Sequence, residues 1–141
     1  MSRRLSLSLP TKLDQLERIY EAVDELGESE EWPPGMVYQV KLVLEELGVN
    51  IVTHGHGGDP DHEFEIVMSS DSEALTIELS DEGRAFNPLT DSPEPDVDSG
   101  LDDRPVGGLG IYLVRTMMDE LSYRREDNRN ILTIVKRKEN G

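Results

Sequence analysis

Cysteine is absent from the 141-residue chain. That excludes a disulfide, a zinc–thiolate centre and a thiol nucleophile, and it agrees with a reducing compartment. No apolar stretch approaches the roughly 20 residues that a membrane-spanning helix needs. The opening segment, Met1 to Leu9, alternates leucine with serine and is too short for a signal peptide. A cytoplasmic protein is expected. Basic residues are scarce: 14 Lys and Arg stand against 30 Asp and Glu, for a net charge of −16. Without a local basic patch such a surface repels nucleic acid and anionic membranes, so neither is expected as a direct partner. It favours a basic protein partner instead. The length suits a single domain with a real core, and residues 1–141 are read as one.

What is present is ordered by hydrophobic periodicity. Leu5, Leu7 and Leu9 alternate with serines as in a half-buried or edge strand, and Pro10 ends it. Thr11 reads as a helix N-cap with Asp14 completing a capping box. Leu13, Leu16, Ile19, Tyr20 and Val23 then follow at helical spacing up to Gly27. After an acidic loop around Trp32-Pro33-Pro34, a long helix is marked by Val37, Val40, Leu44, Leu47 and Ile51. It stops at His54-Gly55-His56-Gly57-Gly58-Asp59-Pro60. Residues 63–69 and 74–80 read as a hairpin turned at Ser70-Asp71-Ser72. Residues 87–106 hold four prolines and six acids with no periodicity, the character of a lid, a binding loop or a surface insertion. Gly107-Gly108-Leu109-Gly110 opens a further helix whose buried face is Ile111, Val114, Met117, Met118 and Leu121. Residues 123–126 and 130–136 close the chain as a second hairpin, turned at Asp127-Asn128-Arg129. The order predicts an α+β fold, a two-layer sandwich in which a mostly antiparallel mixed sheet is covered on one face by helices.

Three places can carry chemistry. Glu46 and Asn50 lie four apart on the long helix, so their side chains share one face, one turn from each other. An amide oxygen can ligate Mg²⁺, and a carboxylate can take a proton from a nucleophile. The same spacing also occurs by chance on solvated helix faces. Next, the strand ending at Ser80 runs into Asp81-Glu82-Gly83-Arg84-Ala85-Phe86-Asn87-Pro88. There a carboxylate can accept a hydrogen bond from an exocyclic amine such as that of adenine, and Gly83 leaves room for a flat ring. A plain polar turn would look similar. Last, glycines at a helix start let free N–H groups and the helix dipole attract phosphate. Gly107 to Gly110 lacks the Lys-Ser/Thr of a P-loop and the directly preceding strand of a dinucleotide fingerprint. His54, His56 and His62 cluster in sequence without a carboxylate or thiol frame, and are read as incidental to metal binding.

The order and spacing of these places is what distinguishes them. From Leu5 to Lys136 the chain resembles the GHKL superfamily of ATPases and kinases, and within it the small anti-sigma-factor serine kinases of the RsbW type. The matching boxes are Glu46 to Gly55, Asp81 to Pro88 and Gly107 to Val114, with further likeness over 117–125 and 130–136. The resemblance implies the Bergerat, or histidine-kinase-like ATPase, fold. It implies ATP and Mg²⁺ as cofactors, with Asn50 on the metal, Asp81 on the adenine amine, Gly83 beneath the ring and Thr133 close to it. It implies that Gly107, Gly108, Leu109 and Gly110 cradle phosphate, and that Glu46 serves as general base toward a substrate hydroxyl. Beyond what the resemblance implies, Arg104, the only base in the 87–106 loop, is read as a residue that folds over the γ-phosphate when the loop closes. Implied partners are a STAS-type anti-anti-sigma protein, which would be phosphorylated on serine or threonine, and a sigma factor. The two compete for the kinase by partner switching, and a homodimer is the family habit. Six carboxylates in the loop would repel a triphosphate unless they point outward, where a basic partner could meet them. Two other readings remain: a sequestering module that binds ATP without phosphoryl transfer, and a stand-alone histidine-kinase-type ATPase domain.

Overall fold

The computed structural model describes residues 3–52, 62–83 and 114–138. Strand β1 (Arg3–Pro10) is followed by a short 3-10 turn at Leu13–Gln15 and by helices α1 (Leu16–Ser29) and α2 (Pro34–Asn50). Strands β2 (Glu63–Ser70), β3 (Ala74–Asp81), β4 (Glu120–Glu126) and β5 (Arg129–Arg137) complete the described elements. The strands form one sheet in the order β1-β2-β3-β5-β4. Every described pairing is antiparallel, as expected of a mostly antiparallel sheet.

Alternation puts one residue set of each strand on a common face. The register aligns Leu9 with Phe64, Phe64 with Asp81, and Asp81 with Asn130. The next row aligns Leu7, Ile66, Leu79 and Leu132, and the one beyond it Leu5, Met68, Ile77 and Ile134. This face carries the core, and the helices cover it with Leu16, Ile19, Val23 and Leu26 from α1 and Val40, Val43, Leu44 and Leu47 from α2. Each fully buried Leu, Ile or Phe contributes roughly 1.5–3 kcal/mol, so the α1–α2 layer holds the sheet by area more than by specific bonds. The outward face of α1 carries exposed Glu17, Glu21, Asp24, Glu25 and Glu28. No described helix is long and apolar enough to cross a membrane.

Several boundaries differ from the sequence expectation, each for a tertiary reason. Thr11 does not cap a helix. It is buried, and both its N–H and its hydroxyl donate to the His62 carbonyl, at 2.8 and 3.1 Å. Helix α1 begins only at Leu16 and has no side-chain cap. It also runs past Gly27, because a Cβ there would stand 2.9 Å from Val37 and 3.1 Å from Trp32, so the glycine admits the indole instead of ending the helix. At the other hairpin, the expected helix extension to Leu121 is replaced by strand. Residues 114–117 are helical, and the Asp119 N–H then donates to the Val135 carbonyl at 2.8 Å and turns the chain into the sheet. Leu121 pairs with Ile134 in β4. Asp127 and Asn128 both take positive φ, 52° and 63°, which gives the two-residue loop that matches strand twist. In the first hairpin Asp71 accepts the Ala74 and Glu73 N–H groups, each at 2.8 Å, and these bonds hold its carboxyl below the usual range.

The end of α1 supplies a stability prediction. Trp32 N–H bonds to Gly27 C=O and Glu31 N–H to Glu28 C=O, the paired closure of a Schellman motif. The left-handed position of that motif is normally glycine, but here it is Glu31 at φ 56°. An L-residue pays about 1–2 kcal/mol there, part of which glycine loses again through its unfolded-state entropy. Glu31→Gly is therefore expected to raise stability by about 0.5–1 kcal/mol, read as a higher urea midpoint at unchanged slope.

Candidate functional site

Asp81 is the last residue of β3 and is 5% exposed. A carboxylate at that depth needs fixed donors. Its Oδ1 accepts the Gly83 N–H at 2.9 Å, which folds Asp81-Glu82-Gly83 into a tight Asx turn, and the Asn130 Nδ2 at 3.1 Å. Among the described residues no donor reaches Oδ2. Gly83 is buried beside it, while Glu82 turns outward to Arg129 at 3.1 Å. Arg129 also donates to the Ser80 hydroxyl at 3.0 Å and to Glu65 at 3.4 Å, and so braces the outer face of the strand end.

Asn130, Tyr123 and Arg125 were given no role from sequence, and the sheet gathers them at this turn. Asn130 is 6% exposed and faces Asp81 across the β3–β5 register. Its Oδ1 accepts from the Tyr123 hydroxyl at 2.5 Å and from Arg125 Nη1 at 3.0 Å. Arg125 Nη1 also donates to the Gly83 carbonyl at 2.9 Å. The only advance signal was the register: once Asp81 ends β3, the residue opposite it in β5 is the one that touches it.

Thr133 needs correction. It pairs with Glu78 and Ser122, on the sheet face away from α1 and α2, whereas Asp81 belongs to the helix-covered face. It does not stand beside a ring held by Asp81. Leu132, level with Leu79 one row further along, shares the helix-covered face with Asn130.

Glu46 is half-buried on α2, one turn before Asn50, the helix's last residue. Burial pushes its carboxyl above the usual range, and the charge of Glu45 pushes it further. Tyr20, which bonds Glu45 from α1, is pushed up to about 12, chiefly by burial and then by that bond. A carboxylate held above its ordinary range is a stronger proton acceptor than one within it. Arg104, Gly107, Gly108, Leu109, Gly110, His54, His56 and the 87–106 loop lie outside the described residues, as does the side chain of Asn50. Among the described residues no group of acids and histidines is arranged to hold a metal unaided.

The arrangement is a buried acceptor at a strand tip with a small residue beside it, and a raised carboxylate on a helix packed over the same sheet. The first can hold the amine edge of a flat heterocycle and the second can accept a proton. Comparison with known proteins places the chain in a family. The family described as histidine kinase-like ATPase domain matches residues 9–136. A serine/threonine-protein kinase, BtrW of Bordetella bronchiseptica, is 29% identical over 104 residues, 74% of this chain and 72% of that protein. The serine-protein kinase RsbW of Bacillus mycoides is 30% identical over 96 residues, 66% of this chain and 59% of that protein. Among solved structures, a chain of the SiaB–SiaC complex of Pseudomonas aeruginosa superposes with a TM-score of 0.62 at 16% identity, covering 94% of this chain and 89% of that one. The histidine kinase domain of an Erythrobacter litoralis blue-light activated kinase gives 0.53 at 19% identity, covering 90% and 60%.

Proposed function

We propose, from the premise that the chain belongs to the histidine kinase-like ATPase domain family, that it binds Mg·ATP and phosphorylates a serine or threonine of a STAS-type protein. By the same reading it holds a sigma factor when that partner is absent or already phosphorylated. The observation that carries the nucleotide part is the Asp81 carboxylate, buried, fixed through Oδ1 and open at Oδ2. Such an oxygen accepts from an exocyclic amine and offers nothing to a carbonyl. The likeness to two named serine kinases supports the transfer part.

In this reading Asp81 orients the base and Gly83 leaves its face uncovered. Asn50 contributes an amide oxygen suited to Mg²⁺, which when bound neutralises phosphate charge. The amides of Gly107 to Gly110 hold the phosphates, and Arg104 answers the γ-phosphate charge. Glu46 accepts the proton of the substrate hydroxyl as its oxygen bonds to the γ-phosphorus. The bond from that phosphorus to the bridging oxygen breaks, and ADP leaves with the electron pair. Phosphoryl transfer requires mainly positioning and charge neutralisation, and one raised carboxylate with a fixed base-binding group fits those needs. The acidic outer face of α1 suits a basic partner surface. A phosphate added at a partner interface would break the complex by repulsion.

The test is incubation with γ-labelled Mg·ATP and a panel of purified STAS-type proteins. Label is expected on a serine or threonine of one of them. Binding of ATP with no transfer to any would favour the sequestering module. No binding at millimolar ATP would remove the nucleotide reading altogether.

A further inference from the structure

The Asp81 turn is closed by a ring of four hydrogen bonds. Asp81 Oδ1 accepts from Gly83 N–H at 2.9 Å, and the Gly83 carbonyl accepts from Arg125 at 2.9 Å. Arg125 also donates to Asn130 Oδ1 at 3.0 Å, and Asn130 Nδ2 returns to Asp81 Oδ1 at 3.1 Å. The ring joins β3, its following turn, β4 and β5. Its polarity is forced. An amide can be turned end for end in the same space, but arginine has no acceptor, so the end of Asn130 that meets Arg125 must be the oxygen. The Tyr123 hydroxyl, 2.5 Å from the same oxygen, fits that assignment. The Asn130 end facing Asp81 is therefore always a donor.

We infer that Asn130, with its amide locked by Arg125 and Tyr123, is a positioning residue that makes the pocket select an amino-purine over an oxo-purine. The inference rests on the nucleotide reading above and adds the residue that sets base choice. With Oδ1 saturated by Gly83 and Asn130, Asp81 offers its ligand only the acceptor Oδ2. A 6-amino group satisfies it, and a 6-oxo group meets it lone pair to lone pair. Without Asn130 the carboxylate has one fixed donor fewer and can rotate away from the amine. Discrimination should then fall through the amino-purine alone, because the phosphates are held elsewhere.

The experiment is calorimetric titration of wild type, Asn130→Ala and Tyr123→Phe with Mg·ATP and with Mg·ITP, which carries a carbonyl in place of the amine. Wild type is expected to prefer ATP by roughly a hundredfold. Asn130→Ala is expected to weaken ATP roughly tenfold while leaving ITP within about twofold, so the ratio collapses. Tyr123→Phe keeps Arg125 in place and should move the ratio the same way by a few-fold, which serves if Asn130→Ala folds poorly. Equal losses for ATP and ITP, or an unchanged ratio in both variants, would sink the inference and leave the nucleotide site standing. A wild type that binds neither nucleotide would overturn the site and the inference together.

Discussion

Asp81→Asn is expected to weaken Mg·ATP binding by about a hundredfold or more and to reverse the preference between ATP and ITP. The substitution conserves shape but leaves one oxygen where there were two. That oxygen is claimed by the Gly83 N–H and the Asn130 amide, 2.9 and 3.1 Å from the present Oδ1. The new NH₂ then points at the ligand, donor against donor for an amine and donor against acceptor for a carbonyl. Loss of a hydrogen bond to a charged group costs about 1.5–3 kcal/mol, and leaving the ligand's donor unpaired adds to it. Parallel titrations with the two nucleotides check this, and an ATP affinity within a few-fold of wild type would show that Asp81 does not touch the base. Asp81→Ala is a poorer probe, since it strands two donors inside the turn and should cost stability as well.

Glu46→Gln is expected to cut phosphoryl transfer by about 10² to 10⁴ while ATP affinity stays near wild type. The glutamine keeps the length and polarity of the side chain and removes only its basicity. The pH profile should separate base catalysis from positioning. Because burial and Glu45 raise the Glu46 pKa, wild-type activity should climb with pH through a window above the ordinary carboxylate range and then level off. The residual activity of the variant should lack that step. Stability carries the opposite sign. The folded state binds the Glu46 proton more tightly than the unfolded chain does, so stability is lost as pH rises from the unfolded pKa through the raised folded one. The variant escapes that loss, and its unfolding midpoint at neutral pH should exceed that of wild type. Transfer at the wild-type rate would remove Glu46 from the base role, and a less stable variant would contradict the raised carboxyl.

The two residues with the largest expected effects were both legible in the sequence, because each sits in a short local pattern. Glu46 and Asn50 are set by helical spacing, and Asp81 by a strand that ends in Asp-x-Gly. Asn130 was not legible as a functional group. It lies 49 positions from Asp81, and the two meet only because β5 inserts between β3 and β4. Tyr123 and Arg125 come from a strand that the helical reading through Leu121 had shortened. Met117, Met118 and Leu121 are compatible with a helix face, and the Asp119–Val135 backbone bond with the β4–β5 ladder that follows it turns the chain into strand. Thr133 shows the same limit from the other side. It is a plausible residue in the right strand, but three positions from Asn130 is an odd step, and odd steps cross the sheet. Thr11 failed as a cap because its bonds to the remote His62 carbonyl tie it to the start of β2, and α1 begins only five residues later, at Leu16.

The strand directions set where the protein can be held. Arg3 lies across from Ser70 and Arg137 across from Ala74, at the rim of the sheet away from the Asp81–Asn130 pair. Lys138 is fastened at that rim through its N–H to the Glu73 carbonyl at 2.8 Å. Strand β3 spans eight residues from one rim to the other, about 25 Å at 3.3–3.4 Å per residue. A dye, a surface tether or another folded domain joined near Arg3 or Lys138 would therefore hang about that far from the carboxylate, and two such attachments would emerge from one rim with β2 and β3 between them. The chain can be held near Arg3 and Lys138 with the strand tips that carry Asp81 and Asn130 left facing away from the handle.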